Sequence, residues 1–464
     1  MTGLPDDPMG GQDIAALAEA IRSGRTTAER VTRACLDRIA RLDPALGAFE
    51  HVAPEAAISA AREVDAAIAA GRDPGPLCGV PVAVKDLLAV EGMPTTGGSL
   101  VDVSDLCGAE GTFVGRLRAT GAVILGKTRT VELAFGATGI NLVRGTPWNP
   151  ADAGAHRIPG GSSSGSAVAV AAGLAAFAIG SDTGGSVRNP AALCGIFGLK
   201  TTYGLWPTDG VIPLAPSFDS IGLLTRSAAD ARTVFAALEG SAPPALPDVS
   251  GLRLARPTGY PLPADAAIDA EVAAAFDAAL DRLARRGVTI TDVAVPEAAE
   301  RETIFPLAFA VELMERFGLE RFEANRDRLD PVVAVRLERA IGADMKAYHA
   351  AIARHRALVG IMRDRMAGLD GWIMPTTLIT APKVEDFSDP DRGLQLTMGI
   401  TRNTQPANLF GQCAVSLPLP GTRLPVGLQL VAAPGRDAEL IALACAVAEV
   451  TGSPPLPDVR AFAR

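Results

Sequence analysis

Hydroxyl groups held in glycine-rich turns are the first chemistry this sequence offers. The run Pro159-Gly160-Gly161-Ser162-Ser163-Ser164-Gly165-Ser166 is followed by Gly180-Ser181-Asp182-Thr183-Gly184-Gly185-Ser186-Val187-Arg188. Between them Ala167 to Ile179 is apolar, whereas a flexible Gly/Ser linker is polar throughout. A serine after two glycines, as Ser186 is, can sit in a sharp turn with backbone N–H groups aimed at one point. Acyl transfer needs that arrangement, a nucleophilic hydroxyl beside donors for the developing oxyanion. The alternative is a plain turn or a phosphate-binding loop. A Walker A loop requires Gly-Lys-Ser/Thr, and Gly160 to Ser166 has no lysine. The Gly-x-Ser-x-Gly nucleophile elbow is not matched either.

A nucleophilic serine needs a base. The chain has 4 histidines, His51, His156, His349 and His355. His156 lies closest in sequence, but in a loop of Asp, Gly and Ala that reads as solvent-exposed. A lysine serves once burial lowers its pKa. Lys85 closes the apolar run Val80-Pro81-Val82-Ala83-Val84 and is the first candidate; Lys127, after Leu125-Gly126, is the second. Read alone, a lysine at a strand end more often snorkels to solvent.

The elements that would position these groups follow from periodicity and caps. Asp13 caps a helix with Ile14, Leu17, Ala18 and Ile21 inward, ended by Gly24. Thr26-Thr27-Ala28-Glu29 offers a capping box for a second helix, stopped before Pro44. Pro54 opens a third, ending at Gly71. These N-terminal helices (1–71) pack on the main body. Strands at Val80–Val84 and Ala122–Leu125, with a helix over 111–120 between them, suggest βαβ order and a largely parallel sheet. Leu174 to Ile179 reads as a strand running into a turn. Ser227 caps a further helix, and residues 239–250 form the one clear loop. A strand (252–255), a long helix (268–285) and a strand (288–295) come next. Charged helices fill 298–367, where Arg336, Arg339 and Arg354 read as solvated faces. The tail alternates again, with strands at 372–375, 413–417 and 426–431, a helix near Asn408 and a last helix capped by Asp437.

Composition narrows the classes. The chain has 464 residues, 48% hydrophobic, enough for a large core, and the length alone favours two or three domains. A net charge of −9 and 5% aromatic content argue against a nucleic-acid partner. The 6 cysteines include no CxxC pair and His occurs in no HExxH, so no metal is expected. No apolar run is long enough to span a membrane, and the acidic start Met1 to Asp7 does not suit a signal peptide. The expectation is a cytoplasmic protein without a membrane partner.

Taken together, the two Ser/Gly clusters resemble the signature of the amidase signature family of serine hydrolases. Gly79-Val80-Pro81-Val82-Ala83-Val84-Lys85-Asp86 is similar to the segment carrying that family's catalytic lysine. Asn149-Pro150, Gly198-Leu199-Lys200, Ser217-Phe218-Asp219, Pro375-Thr376 and Leu424-Pro425-Val426-Gly427-Leu428-Gln429 resemble further landmarks, so the likeness spans nearly the whole chain. It implies one α/β domain over 1–464, a large twisted mixed sheet with helices on both faces, in place of the two domains that length suggests. It implies Ser186 as nucleophile, Ser162 as a relay held by a cis peptide, and Lys85 as base. Thr183, Gly184 and Gly185 would line the oxyanion hole, with Asp182 and Arg188 as structural support. It implies no cofactor, a small-molecule amide or carbamate as substrate, and leaves room for a homodimer. Two positions depart from the pattern: Ser164 stands where glycine is common, and Lys200-Thr201-Thr202 replaces Lys-Pro-Thr.

The family hydrolyses small aliphatic and aryl amides, and some members take fatty amides, carbamates, esters or urea-like bonds. Pocket walls are expected near Leu133 to Asn141, the helices of 300–345 and Ile400 to Phe410. Phe135, Phe305, Phe309, Met314 and Phe317 there favour an apolar acyl or aryl pocket over one for charged substrates, although such residues are more often core. Three other readings stand beside the amidase: the transamidating component of a tRNA-dependent amidotransferase, a Glu-Lys-Cys hydrolase using Cys194, and a non-catalytic binding protein on the same fold. The apolar context Leu193-Cys194-Gly195-Ile196 suits an inert thiol.

Overall fold

The computed structural model of the protein describes residues 7–259 and 268–463, so residues 1–6 of the acidic N-terminal stretch lie outside the described residues. Eleven strands form one continuous sheet: β1 (Phe49–Val52), β2 (Pro81–Lys85), β3 (Val123–Thr128), β4 (Phe177–Ser181), β5 (Phe197–Lys200), β6 (Ile221–Thr225), β7 (Arg253–Thr258), β8 (Thr289–Ala294), β9 (Gly371–Pro375), β10 (Cys413–Leu419) and β11 (Val426–Ala432). Their spatial order is β1-β3-β2-β4-β6-β5-β10-β11-β9-β7-β8. The sheet is mixed rather than largely parallel. β2 runs parallel to β3 and β4, and β7 parallel to β8 and β9, while the middle from β4 to β9 is antiparallel throughout. The βαβ reading holds at β2–β3, but the tail strands are joined as antiparallel neighbours.

Every residue of β2, β4, β10 and β11 is buried. Because successive side chains point to opposite faces, this requires cover on both. Helices supply it: Ser164–Ala171 packs on β2, β3, β4 and β6, Arg188–Cys194 on β5, β10 and β11, and Asp437–Thr451 on β10 and β11. The composition of Ser164–Ala171, SGSAVAVA, explains its place: it has no polar face to turn to solvent, and all eight residues are buried.

The first N-terminal helix forms as its cap specifies, but the second is capped by Thr27 alone and not by a Thr26–Glu29 box, because the Glu29 carboxylate pairs with Arg33 and Arg62. Asp13 accepts from the Ala16 N–H and Thr27 from the Arg30 N–H. The second helix does not stop before Pro44; it runs over Ala28–Leu46, with Pro44 in its last turn and Gly47 closing it in the left-handed conformation. One short strand, β1, escapes a pattern reading because it joins the sheet edge against β3 with only Phe49 buried. Asp437 is not a cap: the cap residue is Arg436, and the Asp437 carboxylate accepts from the Thr202 N–H at 2.7 Å and its hydroxyl at 2.6 Å.

Candidate active site

The register between β2 and β4 sets Val84 opposite Ile179, which brings Lys85 level with the turn that follows β4. Lys85 is fully buried there. Its Nζ lies 2.7 Å from Ser162 Oγ and 2.9 Å from Ser181 Oγ. Burial lowers its pKa from 10.5 to about 7, against the pull of Asp182 and Asp219, so a neutral amine is accessible near neutrality. The snorkelling alternative therefore does not hold at this strand end. Lys127, the second candidate, is also buried, but pairs with Asp86 at 3.0 Å and donates to Thr95 at 2.8 Å. It is a compensated structural ion.

The first Ser/Gly cluster divides its hydroxyls. Ser162 faces Lys85, its peptide bond to Gly161 is cis, and its carbonyl accepts from the Val131 N–H at 3.1 Å and the Thr130 hydroxyl at 3.0 Å. The Ser163 hydroxyl donates to the Ser181 carbonyl at 3.2 Å, and its N–H to the Ser186 carbonyl at 3.1 Å. Ser166 donates to the Ile179 carbonyl at 3.2 Å. These bonds tie the two clusters together across the apolar helix. Lys85 and Ser162 are thus joined directly, whereas Ser162 and Ser186 are joined through the Ser163 backbone. Of the three, Lys85 and Ser162 have no exposure and Ser186 has 7%, so Ser186 alone meets solvent.

The second cluster is a turn built around one carboxylate. Asp182 accepts from the Gly185 N–H at 2.8 Å and the Val187 N–H at 3.1 Å, folding the chain back on itself. Gly185 has φ +113, and a Cβ there would collide with Thr404 Oγ1, so only glycine fits. Arg188 pairs with Asp182 at 3.0 Å, with neither side chain exposed. Its remaining donors reach the Thr404 carbonyl, Gln429 Oε1 and Asn408 Oδ1 at 2.7–2.8 Å. Burial raises the Asp182 pKa, but the Arg188 charge and the hydrogen bonds from Arg188 and Asn408 outweigh it and hold the carboxyl well below its usual range. Thr183 donates to Asp219 at 2.6 Å, which fixes the first residue of the Thr183–Gly185 segment. Burial pushes Asp219 up to about 6.

Several supporting residues carry no assigned role when the sequence is read alone. Ser181, Asp219 and Gln429 lie inside segments singled out above, but Thr404 and Asn408 carry no local signal, because only the fold brings 404–408 to the turn. His156 is not solvent-exposed: its ring stacks on Trp148 at 4.4 Å with an interplanar angle of 2°. Cys194 is fully buried and burial drives its thiol pKa far up, consistent with an inert thiol. Phe305 and Phe317 are core. Phe309 reaches the site, since a Cβ on Gly184 would lie 3.6 Å from its ring. Among the described residues no cluster of metal-binding side chains occurs, and no helix is long and apolar enough to cross a membrane.

The fold and the hydroxyl–lysine site define a hydrolase of carbon–nitrogen bonds. The sequence pattern of the family described as Amidase matches residues 30–441, and the chain belongs to that family. It is 37% identical over 449 residues to 2-amino-5-chloromuconic acid deaminase of Comamonas testosteroni, covering 95% of this chain and 96% of that one. It is 37% identical over 494 residues to one subunit of the glutamyl-tRNA(Gln) amidotransferase of Acidothermus cellulolyticus, covering 96% of each. The structure of a peptide amidase from Stenotrophomonas maltophilia superposes with a TM-score of 0.80 at 29% identity, covering 98% of this chain and all of the other. The protein is a hydrolase of carbon–nitrogen bonds.

Proposed function

We propose that the whole chain acts as one catalytic domain, a stand-alone amidase with Ser186 as nucleophile, Ser162 as relay and Lys85 as base. The observation that carries this is the buried Lys85 amine, 2.7 Å from Ser162 Oγ and with a pKa lowered to about 7. Neutral Lys85 accepts the Ser162 proton while Ser162 accepts that of Ser186, whose oxygen attacks the amide carbonyl. The N–H groups of Thr183, Gly184 and Ser186 donate to the negatively charged carbonyl oxygen, while the Gly185 N–H, expected among these donors, is held by Asp182 at 2.8 Å and serves to shape the turn. The relay reversed protonates the leaving amine as the C–N bond breaks, and water then hydrolyses the ester to Ser186.

Small-molecule amides are the substrates, with carbamates as a further class open to the same acyl transfer. The site of action is the cytoplasm. The Comamonas relative acts on 2-amino-5-chloromuconic acid, an acid bearing a carbon–nitrogen bond. The similarity to the Acidothermus amidotransferase component supports a second reading, transamidation with partner subunits. Purified protein tests both. Hydrolysis of amides by the chain alone, fluorophosphonate labelling at Ser186 and loss of both in Ser186→Ala support the proposal. Wild-type turnover by Ser186→Ala would sink it, and turnover only with co-purifying subunits favours the second reading.

A further inference from the structure

A side-chain amide stands at the edge of the Thr183–Ser186 turn with its donor end unused. Gln405 opens the short helix Gln405–Leu409 and is half-buried. Its Oε1 accepts from Arg301 Nη1 at 2.6 Å. A guanidinium carries only donors, so the atom facing it is the amide oxygen and the NH2 group takes the other position. Among the described residues Nε2 bonds to no acceptor, yet it is not one of the buried atoms left without a partner, so it is open to solvent.

Two nearby amides are occupied at both ends. Asn408 accepts from Arg188 at 2.7 Å and donates to Asp182 at 2.8 Å. Gln429 accepts from Arg188 at 2.7 Å and donates to the Asn403 carbonyl at 2.7 Å. These hold the turn in shape, whereas Gln405 is held at one end only. Its holder, Arg301, is buried. A charged donor on Oε1 fixes the plane of the amide and draws electron density away from it, which strengthens the Nε2–H groups as donors.

Gln405 borders the reacting groups. A Cβ built on Gly184 would lie 3.6 Å from Gln405 Cγ and 3.6 Å from the Phe309 ring. Both are ordinary van der Waals contacts and the φ of Gly184 is not positive, so neither crowding nor backbone conformation demands glycine there. The missing side chain leaves a gap above a half-buried residue, with an amide on one side and a ring on the other. The helix Arg301–Phe317 builds both sides. Arg301, Phe305 and Phe309 recur at i, i+4 and i+8 and so share one face, with Phe305 and Phe309 stacked at 4.7 Å. That face holds the amide at its start and lines the turn with an aromatic ring two turns on.

We propose that Gln405 sets substrate choice by donating its Nε2–H to a second carbonyl oxygen, so that the enzyme acts on short amides carrying a carbonyl group near the one that is cleaved. This deepens the amidase reading and rests on it. One placed donor in an otherwise apolar wall is what fixes the orientation of a small ligand. A carbonyl group is planar and only accepts, so it lies against the Phe309 ring while its oxygen meets Nε2. A hydrocarbon in the same place displaces water from the donor without replacing its hydrogen bond, which is unfavourable.

The test compares acetoacetamide, levulinamide and its next homologue with butyramide, valeramide and hexanamide, in which CH2 replaces the second carbonyl. Wild type, Gln405→Leu and Gln405→Glu are assayed. In the unaltered enzyme at least one oxo amide is expected to exceed its counterpart in kcat/KM. Gln405→Leu removes the donor, and Gln405→Glu removes it while keeping a partner for Arg301. In both, that ratio is expected to fall about 3- to 10-fold, the worth of one neutral hydrogen bond, whereas a purely structural role would spare it in Gln405→Glu. An unchanged ratio in either folded variant overturns the inference. So does a wild-type enzyme that cleaves simple amides at Ser186 with no preference for the oxo amides, a result that needs no variant and leaves the amidase reading standing. No cleavage of any amide, together with no fluorophosphonate labelling of Ser186, removes the amidase reading and this inference with it.

Discussion

Replacing Lys85 by methionine should abolish activity and yet, at neutral pH, stabilise the protein. Methionine matches the unbranched shape of the lysine stem and removes only the amine. Folding takes the Lys85 amine from a pKa of 10.5 to about 7, and at about 1.36 kcal/mol per unit its burial costs about 4 kcal/mol more at pH 7 than at pH 10.5. The direction follows from proton counts. Between those values the unfolded chain binds the lysine proton and the folded one does not, so wild-type stability rises with pH in this window and the methionine variant lacks that rise. Against this, methionine removes the hydrogen bonds to Ser162 and Ser181, about 1 kcal/mol each. The variant is therefore expected to be the more stable by about 2 kcal/mol at pH 7 and the less stable by a similar amount at pH 10.5. Urea unfolding of both proteins at several pH values between these limits measures the crossing. Titration of every other group cancels in the difference, so a difference that stays flat with pH would refute the buried, neutral lysine.

The pH–rate profile is expected to follow the same group: kcat/KM should fall below about pH 7 along a one-proton limb, because protonated Lys85 cannot accept from Ser162. A profile flat from about pH 5 to 9, by initial rates on any hydrolysed amide, counts against it. Asp182→Asn leaves Arg188 buried without its counter-charge and is expected to destabilise by about 3–5 kcal/mol in urea unfolding. A loss below about 1 kcal/mol would mean that Gln429, Asn408 and the Thr404 carbonyl suffice to hold the guanidinium.

Much of the site was legible because its chemistry is concentrated in contiguous segments. Ser162 and Ser186 stand out by type, as serines in glycine turns around a segment that only a core can hold, whereas Lys85, a lysine ending an apolar run, read alone fits a solvent-facing strand end as well and gains its assignment from the family resemblance. The helix caps Asp13, Thr27 and Ser227 were equally local, since a cap is a contact within three residues. Part of the chain order of strands and helices also followed from periodicity, but β1, β5, β6 and the helices Ser164–Ala171 and Arg188–Cys194 did not.

What needed the tertiary structure are the decisions that depend on distant partners. Lys85 and Lys127 look alike in sequence, each near the end of a buried strand, and burial lowers both; Lys85 has only hydroxyls within hydrogen-bond reach, whereas Asp86 stands 3.0 Å from Lys127 and opposes its loss of charge. Asp437 looks like a helix cap until Thr202 is found against it. Arg336 looks like a surface charge, and no pattern within its helix shows that the Phe135 ring lies against it. Residue types and spacing nominated the candidate reacting groups and pointed to the class of reaction. Only the packing of remote segments decided which charges are buried and how each is compensated, because burial and charge balance are properties of a site's whole surroundings.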